Sequence, residues 1–259
     1  MLDDIVMSKQ REVELARREV SFEDLKAKLA SHLTERGLRQ AIHRPGKLSL
    51  IAELKRKSPS KGMLRERFDP VHLAMTMEKA GAAALSVLTD EPYFGGHLDF
   101  LREAKQFTEV PILRKDFVID PYQVYEAALY GADAVLLIVR ILTGDRLIEC
   151  MQAADLLGLE PLVEVHSEAE LKVALSAGAH VIGINHRDLR TFQIDPALAE
   201  QLVPKIPAGK IIVAESGIHT AQDVKRMQSL GVHALLIGEA LMTAPDPAEK
   251  IRELFSGIW

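Results

Sequence analysis

Charged and polar side chains stand at the ends of four short apolar runs in this sequence, and their types suit acid–base chemistry. They are Glu53 and Lys55 at the first run, Lys115 at the third, Glu164 at the fifth and Asn185 at the sixth. A positioned ammonium can donate a proton to a reacting group, and a positioned carboxylate can accept one. Brought together, these side chains would form a general acid–base site.

The alternation of side chains along a strand indicates which of these residues face the same way. Glu53 and Lys55 share a face with Ile51, and Lys115 shares a face with Leu113. At each position a structural ion pair or a solvated charge is the alternative to a function. Polar ends on four strands together favour a site, because barrel interiors are otherwise filled by branched apolar residues.

Small residues follow the last two apolar runs and predict a place for an anion. Ser216 and Gly217 follow the seventh run, and Gly238 and Glu239 follow the eighth. Backbone N–H groups can approach a ligand closely there, and the start of a helix favours negative charge. Loops after the seventh and eighth strands are the usual phosphate site of α/β barrels. The alternative at each glycine is an ordinary turn.

The elements that must position these residues recur along the chain as short apolar runs, each followed by a segment with helical spacing. The eight runs are Ser49–Leu54, Ala83–Leu88, Pro111–Arg114, Ala134–Val139, Pro161–Val165, Val181–Ile184, Ile211–Ala214 and Ala234–Ile237. Continuous apolar strands suit a parallel sheet covered by helices. Eight such units predict an α/β fold of the (β/α)8 TIM-barrel class. A doubly wound sheet is the alternative, but the G-x-G-x-x-G fingerprint is absent.

Residues 1–46 lie outside this repeat and predict a helical extension packed on the barrel. Their apolar residues fall on one side of a first helix that is otherwise crowded with charge, and we expect those charges to be solvated. Ser21 is placed to cap a second helix that carries Leu25, Leu29 and Leu33. We expect residues 1–259 to form a single barrel domain.

Composition excludes several classes of protein. The 259 residues are 47% hydrophobic and 27% charged, with a formal charge of −5 and no basic stripe, which argues against nucleic-acid binding. The longest apolar stretch, Ala134–Val139, is far below the ~18 residues of a membrane helix, and Asp3 and Asp4 do not suit a signal peptide. We therefore expect no membrane partner and a cytoplasmic location. The lone Cys150 is expected to pack inertly in a helix, and no histidine spacing suggests a metal site.

Six segments closely resemble the indole-3-glycerol-phosphate synthase family, in order and over nearly the whole chain. They are IAELKRKSPS (51–60), LSVLTDEPYFGG (85–96), LRKDF (113–117), LVEVH (162–166), GINHRDL (183–189) and AESGI (214–218). One residue departs from the family pattern: His186 stands where the family commonly has a second Asn. Asn185 and Arg187 are retained on either side of it, so only the detail of this loop is affected.

The resemblance implies ring closure, decarboxylation and dehydration of 1-(2-carboxyphenylamino)-1-deoxyribulose 5-phosphate, giving indole-3-glycerol phosphate in tryptophan biosynthesis. In this reaction Lys115 would be the general acid for ring closure, and Glu164 the base. Lys55 would hold the substrate carboxylate and then assist loss of water, with Glu53 orienting it. Asn185 would orient the sugar hydroxyls or a catalytic carboxylate.

The resemblance also implies the residues that hold the ligand. They are Ser58, Arg187, Ser216, Gly217, Gly238 and Glu239, the last two through their backbone N–H groups. Three apolar residues would form a wall for the anthranilate ring or belong simply to the core: Phe94, Phe117 and Leu136. The expected partner is a small anionic sugar phosphate, with no cofactor or metal. The expected state is a monomer, with a weak homo-oligomer as the alternative. The alternatives are a Schiff-base aldolase using Lys55 or Lys115, and a non-catalytic sugar-phosphate-binding barrel.

Overall fold

Ten strands are present in the computed structural model, which describes residues 1–29 and 36–259. They are β1 (Ser49–Leu54), β2 (Lys57–Ser58), β3 (Gly62–Met63), β4 (Ala84–Leu88), β5 (Ile112–Lys115), β6 (Ala134–Ile138), β7 (Glu160–Val165), β8 (Val181–Asn185), β9 (Ile211–Glu215) and β10 (Ala234–Ile237). β2 and β3 form a short antiparallel hairpin after β1. The other eight strands are all parallel and close into a barrel, with β1 paired to both β4 and β10. The predicted TIM barrel is confirmed.

Three barrel strands continue one residue beyond the predicted apolar runs, at their carboxyl ends. The added residues are Lys115 on β5, Asn185 on β8 and Glu215 on β9. An apolar run ends where polarity begins, but the backbone ladder continues as long as a neighbouring strand offers partners. The polar residues at these ends are therefore part of the sheet, which holds their backbones rigidly.

Thirteen α-helices and one short 3-10 helix (Val203–Lys205) are present among the described residues. The α-helices are α1 (Leu2–Glu19), α2 (Phe22–Lys28), α3 (Leu38–Ile42), α4 (Pro70–Lys79), α5 (Glu91–Phe94), α6 (Leu98–Phe107), α7 (Pro121–Leu129), α8 (Arg146–Leu157), α9 (Glu168–Ser176), α10 (Leu198–Leu202), α11 (Ala221–Ser229), α12 (Glu239–Met242) and α13 (Pro247–Leu254). The sequence Asp-Pro starts three of them, α4, α7 and α13, with the Asp side chain accepting a backbone N–H and the Pro preset for the first turn.

Two apolar clusters hold the fold together. The larger one lies between the outward-facing side chains of the strands and the surrounding helices. The other fills the barrel interior and includes Ile51, Leu113, Leu162 and Val213, one from each of β1, β5, β7 and β9. In a TIM barrel, four side chains from alternate strands form each interior layer. These four residues form an apolar floor, above which the strands run on to their polar ends.

The amino-terminal helices pack on the barrel at more than one place. Leu2 and Ile5 of α1 join the interior cluster. The hydroxyl of Tyr122 on α7 donates to the carbonyl of Ala16 at 3.1 Å. Leu25 and Leu29 are buried as predicted, whereas Leu33 lies outside the described residues.

The expectation that the charges of the first helix are solvated is wrong for one residue. Lys9 of α1 is 0% exposed and lies against carboxylates from the barrel loops. A buried charge is tolerated only with such partners. Sequence periodicity could not reveal them, because they lie far along the chain.

Candidate active site

One cavity at the carboxyl ends of the barrel strands is lined by every residue that the sequence singled out. These residues are Glu53, Lys55, Ser58, Phe94, Lys115, Phe117, Leu136, Glu164, Asn185, Arg187, Ser216, Gly217, Gly238 and Glu239. With its open mouth included, the cavity has a volume of about 920 Å³. The structure thus brings the predicted residues together, while their roles stay predictions.

Four ionisable side chains form one layer, two residues further along the same four strands than the apolar floor. Each barrel strand is shifted along its neighbour, and over two strands this shift amounts to two residues. Because of this shift, the layer consists of Glu53, Lys115, Glu164 and Glu215, which lie at the same height in the barrel. They come from β1, β5, β7 and β9, the same alternate strands that supply the floor. The barrel geometry therefore places one lysine among three glutamates.

The ammonium of Lys115 contacts two carboxylates of this layer, which come from the adjacent alternate strands β7 and β9. Its Nζ is 3.5 Å from Glu164 and 3.7 Å from Glu215. Burial by itself would lower the pKa of Lys115, but Glu164, Glu215 and Glu53 outweigh burial and raise that pKa above its ordinary value. Lys115 is therefore a charged proton donor at neutral pH.

The carboxylates of Glu164 and Glu215 share this one ammonium, so they cannot both be charged at low cost. Glu164 also contacts His166, and these two cations outweigh burial and hold the pKa of Glu164 below its usual range. Burial and the neighbouring Glu164 raise the pKa of Glu215 well above its usual value. Glu164 is therefore the ionised member of the pair, and Glu215 is the protonated one.

Glu53 and Lys55 form a second acid–base pair in the cavity. The Nζ of Lys55 is 2.5 Å from Oε2 of Glu53, and the Glu53 residue is 3% exposed. A side chain on Gly238 would overlap the carboxylate of Glu53, so the absence of a side chain there provides the space for this pair. The sequence reasoning, which assigned Gly238 only to phosphate binding, did not find this relationship.

Asn185 and Arg187 shape the loop after β8. The Oδ1 of Asn185 accepts the backbone N–H of Arg187 at 3.0 Å, and the Arg187 guanidinium pairs with Glu239 at 3.0 Å. Arg187 also lies 3.4 Å from the hydroxyl of Ser60 in the turn between β2 and β3, next to Ser58. A cation is thus placed between the loops after β1, β8 and β10, where it could meet an anionic ligand.

The turn after β9 has an unusual backbone. Ser216 has φ +64° and is followed by Gly217 with φ +74°, so a non-glycine residue is held in the left-handed region. Such strain is found mostly at functional sites and needs support from the surroundings. His186 supplies it, because its Nδ1 lies 3.0 Å from the Ser216 carbonyl and, since a carbonyl can only accept, must be the donor. The residue that departs from the family pattern therefore supports the predicted phosphate loop.

Phe94 and Phe117 form an aromatic wall on one side of the cavity. Their ring centroids are 5.9 Å apart with the planes inclined at 37°, and Phe117 is 6% exposed. Leu136 lines the cavity near them and belongs to the interior cluster. These side chains belong to the core and also line the cavity. Core packing and a wall for an aromatic ligand, the two interpretations that the sequence left open, are therefore compatible.

Two residues of the site were not assigned by sequence reasoning. Glu215 ends β9, and Glu53 and Glu164 lie near the carboxyl ends of β1 and β7. A glutamate at this place in every second barrel strand was a signal that could have identified Glu215. His166 follows β7, with Nε2 3.2 Å from Oε1 of Glu164 and Nδ1 3.2 Å from Glu170. The two-residue alternation that places Glu164 on the face of Leu162 also places His166 there, and this signal could have identified it.

The remaining sequence expectations concern groups away from the cavity. Cys150 is 0% exposed, and burial raises the pKa of its thiol to about 12, which confirms inert packing. Within residues 1–29 and 36–259, no group of three or more His, Cys, Asp or Glu residues is placed to hold a metal ion. None of the helices in the same two ranges combines the length and the apolar character that crossing a membrane requires.

Comparison with known proteins decides the family. A family model for indole-3-glycerol phosphate synthase matches residues 2–254. A synthase of that name from Carboxydothermus hydrogenoformans is 45% identical, over 98% of this chain and 99% of the relative. The chain belongs to the indole-3-glycerol phosphate synthase family. A synthase from Dehalococcoides mccartyi strain CBDB1 is 52% identical over 79% of this chain and 80% of the relative. The indole-3-glycerol phosphate synthases are enzymes of tryptophan biosynthesis, and the resemblance noted in the sequence is confirmed.

Solved structures support the fold of this synthase family member. KGPDC from Streptococcus mutans has a TM-score of 0.65 at 16% identity, over 82% of this chain and 99% of that one. The 3-hexulose-6-phosphate synthase from Salmonella typhimurium has a TM-score of 0.63 at 16% identity, over 80% and 96% of the two chains. At such low identity the likeness shows a shared barrel and carries nothing about the reaction.

Proposed function

We propose that this chain is a carboxy-lyase that converts 1-(2-carboxyphenylamino)-1-deoxyribulose 5-phosphate into indole-3-glycerol phosphate, CO₂ and water. The observation that carries the proposal is the position of Lys115, a charged ammonium held between Glu164 and Glu215 inside the cavity. Ring closure creates negative charge on a ketone oxygen, and a preorganised proton donor lowers the barrier to that step.

In the first step the ring carbon that bears the carboxylate bonds to the ketone carbon, and Lys115 gives a proton to the ketone oxygen. The bond to the carboxylate then breaks, and its electrons restore the aromatic ring as CO₂ leaves. Lys55 holds that carboxylate through its ammonium until this point. Glu53 orients Lys55 at 2.5 Å and keeps the ammonium directed into the cavity.

The last step is loss of water from the new five-membered ring. Lys55 protonates the departing hydroxyl, and Glu164 removes a proton from the ring, so that the indole double bond forms. Its ionised state suits Glu164 to act as this base, since a base must be free of its proton beforehand. Asn185 orients the sugar hydroxyls or a catalytic carboxylate from the end of β8.

The phosphate is assigned to the loops after β9 and β10. The hydroxyl of Ser216 and the backbone N–H groups of Gly217, Gly238 and Glu239 supply donors, and successive N–H groups near a left-handed turn suit an anion. Arg187 supplies a positive charge, and Ser58 ends β2 next to the turn that faces Arg187. Phe94, Phe117 and Leu136 provide an apolar surface for the aromatic ring at the other side of the cavity.

The proposal includes a small anionic sugar phosphate as the partner, a monomeric chain working as one domain over residues 1–259, and a cytoplasmic location. Within that domain, residues 1–46 serve as a helical extension. The lone thiol of Cys150 suits a reducing compartment. No cofactor takes part, because the ring made electron-poor by ring closure itself accepts the electrons of the breaking bond to the carboxylate.

The test is to mix the purified chain with the carboxyphenylamino-deoxyribulose phosphate and follow indole absorbance and fluorescence. Lys115→Ala should lower turnover by about 10²-fold or more while substrate affinity is largely kept. Lys172→Ala, which removes an exposed lysine on α9, is the matched control and should behave as the unmodified chain. Near-normal turnover of Lys115→Ala would refute the assigned role.

The two rival functions give different results in the same assay. A Schiff-base aldolase would be trapped covalently by borohydride in the presence of a keto-phosphate, whereas the proposed reaction forms no imine. A barrel that only binds sugar phosphates would produce no indole signal with any variant. Absence of that signal from a folded sample would overturn the proposal.

A further inference from the structure

Lys9 lies on α1, outside the barrel, yet it is buried beneath the loops that follow β4 and β5. Its Nζ is 2.8 Å from Glu12 on the same helix, 2.9 Å from Asp116 and 3.2 Å from Asp90. Asp90 and Asp116 are fully buried, whereas the Glu12 side chain is 41% exposed. One ammonium from the extension therefore joins two buried carboxylates of the barrel.

Each of these two carboxylates also holds the backbone of one phenylalanine of the aromatic wall. The Oδ1 of Asp90 accepts the N–H of Phe94 at 3.1 Å, while its Oδ2 faces Lys9. The Oδ1 of Asp116 accepts the N–H of Phe117 at 2.8 Å as well as contacting Lys9. Lys9 thus links the two hydrogen-bonded supports of Phe94 and Phe117.

Charge makes this link necessary. Asp116 has further partners in Arg114 at 3.0 Å and the Thr89 hydroxyl at 2.5 Å, but Arg114 also serves Glu126 at 2.8 Å. Without Lys9 the buried carboxylates would outnumber the single guanidinium. Unpaired buried charges admit water or move apart, since burying them alone is costly. Burial opposes the charge on Lys9, but Asp116, Asp90 and Glu12 outweigh burial and raise its pKa, so the ammonium is permanent.

We propose that Lys9 is a positioning residue that sets the separation of Phe94 and Phe117 and thereby the affinity of the cavity for the aromatic ring of its ligand. This inference rests on the proposed function, in which the two rings contact that part of the substrate. The amino-terminal helix α1 then supports the aromatic wall through Lys9, although no residue of α1 lines the cavity.

Lys115 is held by the barrel sheet and does not depend on Lys9. Loss of Lys9 should therefore change ligand binding without changing the chemical step. Its backbone lies within β5, opposite Leu88 of β4, and its carbonyl accepts the N–H of Thr89 at 3.1 Å. The sheet ladder keeps that lysine in place when Lys9 is lost. Phe94 and Phe117 lie beyond the strand ends and depend on the Asp side chains. Loss of Lys9 should therefore raise KM and leave kcat nearly unchanged.

The test compares two ligands on the full chain with Lys9→Met, which keeps the length of the side chain without its charge. Indole-3-glycerol phosphate, followed by its fluorescence, should bind between about 10- and 100-fold more weakly, because a displaced wall loses its apolar contact with the ring and such a contact is worth roughly this much in affinity. Inorganic phosphate contains no ring and should bind as it does to the unmodified chain. KM for the substrate should rise in parallel with the loss of indole-3-glycerol phosphate affinity.

Arg17→Met is the matched control on the same helix. Arg17 pairs with Asp120 at 2.6 Å and also ties α1 to the barrel, but Asp120 caps α7 and holds neither phenylalanine. This variant should leave both ligand affinities unchanged. Equal weakening of both ligands by Lys9→Met, no weakening of either, or the same ring-specific loss in Arg17→Met would each overturn the inference.

A double variant covers the case in which Lys9→Met does not fold. Lys9→Met with Asp90→Asn removes one buried cation and one buried anion together, and Asn still caps α5. The link between positions 90 and 116 is still missing, so a ring-specific loss should persist. It should be smaller than that of Lys9→Met, because one buried carboxylate fewer is left unpaired. Failure of both variants to fold while Arg17→Met folds would make Lys9 a stabilising residue only and would also overturn the inference. Failure of the proposed function is recognised separately, by the absence of indole formation in the unmodified chain.

Discussion

His166 and Lys115 bind opposite oxygens of the same carboxylate. The Nε2 of His166 is 3.2 Å from Oε1 of Glu164, and the Nζ of Lys115 is 3.5 Å from Oε2. The other ring nitrogen of His166 faces Glu170, which pairs with Arg140 at 2.8 Å. A row of alternating charges therefore extends from the cavity to the surface, and it keeps Glu164 ionised.

His166 should give the protein a pH-dependent stability. Burial alone would lower the pKa of His166, but its close contacts with the carboxylates of Glu164 and Glu170 outweigh burial and raise the pKa from 6.5 to about 9. The contribution of the charged imidazole is then complete below pH 6.5 and is lost as the pH rises through about 9. A shift of this size corresponds to at most about 3 kcal/mol in the free energy of unfolding.

Urea denaturation at a series of pH values measures this contribution. The difference in free energy of unfolding between the unmodified chain and His166→Gln should be largest near pH 6 and shrink by up to about 3 kcal/mol toward pH 9.5. His72→Gln, at an exposed position on α4, is the control and should follow the unmodified chain. A difference that is the same at every pH would refute a charged His166.

The two carboxylates beside Lys115 should respond differently to loss of charge. Glu215 is protonated, so Glu215→Gln replaces one neutral group by another of the same shape. Glu164→Gln removes an anion that faces two cations. We expect turnover of Glu164→Gln to fall at least about tenfold further than that of Glu215→Gln, since loss of a positioned base costs about 10²-fold or more. Steady-state kinetics on both variants would show equal losses if the assignment of charge were wrong.

Gly238→Ala should reduce turnover by displacing Glu53. The new methyl group would overlap the Glu53 carboxylate and move it away from Lys55. A displacement of this kind costs roughly 10- to 100-fold in turnover. In a Glu53→Ala background there is no carboxylate to displace, so the same substitution should add little. Equal losses in both backgrounds would indicate that Gly238 acts on the phosphate instead.

Ser216→Asp tests the phosphate loop through charge. Asp tolerates the left-handed backbone of Ser216, so the loop should keep its shape. Its carboxylate would repel the ligand phosphate, and substrate affinity should fall by at least about tenfold, which is about 1.4 kcal/mol. Ser21→Asp, at the exposed cap of α2, adds the same charge away from the cavity and should have no effect. Unchanged affinity of Ser216→Asp would remove Ser216 from the site.

Much of the fold could be predicted from the sequence, because strand and helix periods are local properties of the chain. Eight apolar runs followed by helical spacing identified the barrel, and residues at the ends of those runs had to meet at one edge. The predicted ends were one residue short at Lys115, Asn185 and Glu215, since an apolar pattern stops where a polar residue begins. Because Glu215 lay just outside its predicted strand, the sequence analysis did not assign this buried residue to the site.

The sequence by itself determined the class of fold, the family and fourteen of the residues that line the cavity, Glu215 not among them. Only the tertiary structure decided which charges are paired: Lys115 with Glu164 and Glu215, His166 with Glu164, and Lys9 with Asp90 and Asp116. Such pairs join residues distant in sequence, and their energies depend on separation and burial. Periodicity says which face a side chain occupies. Which charge it meets there depends on the strand register and the packing of α1, and these exist only in the folded chain.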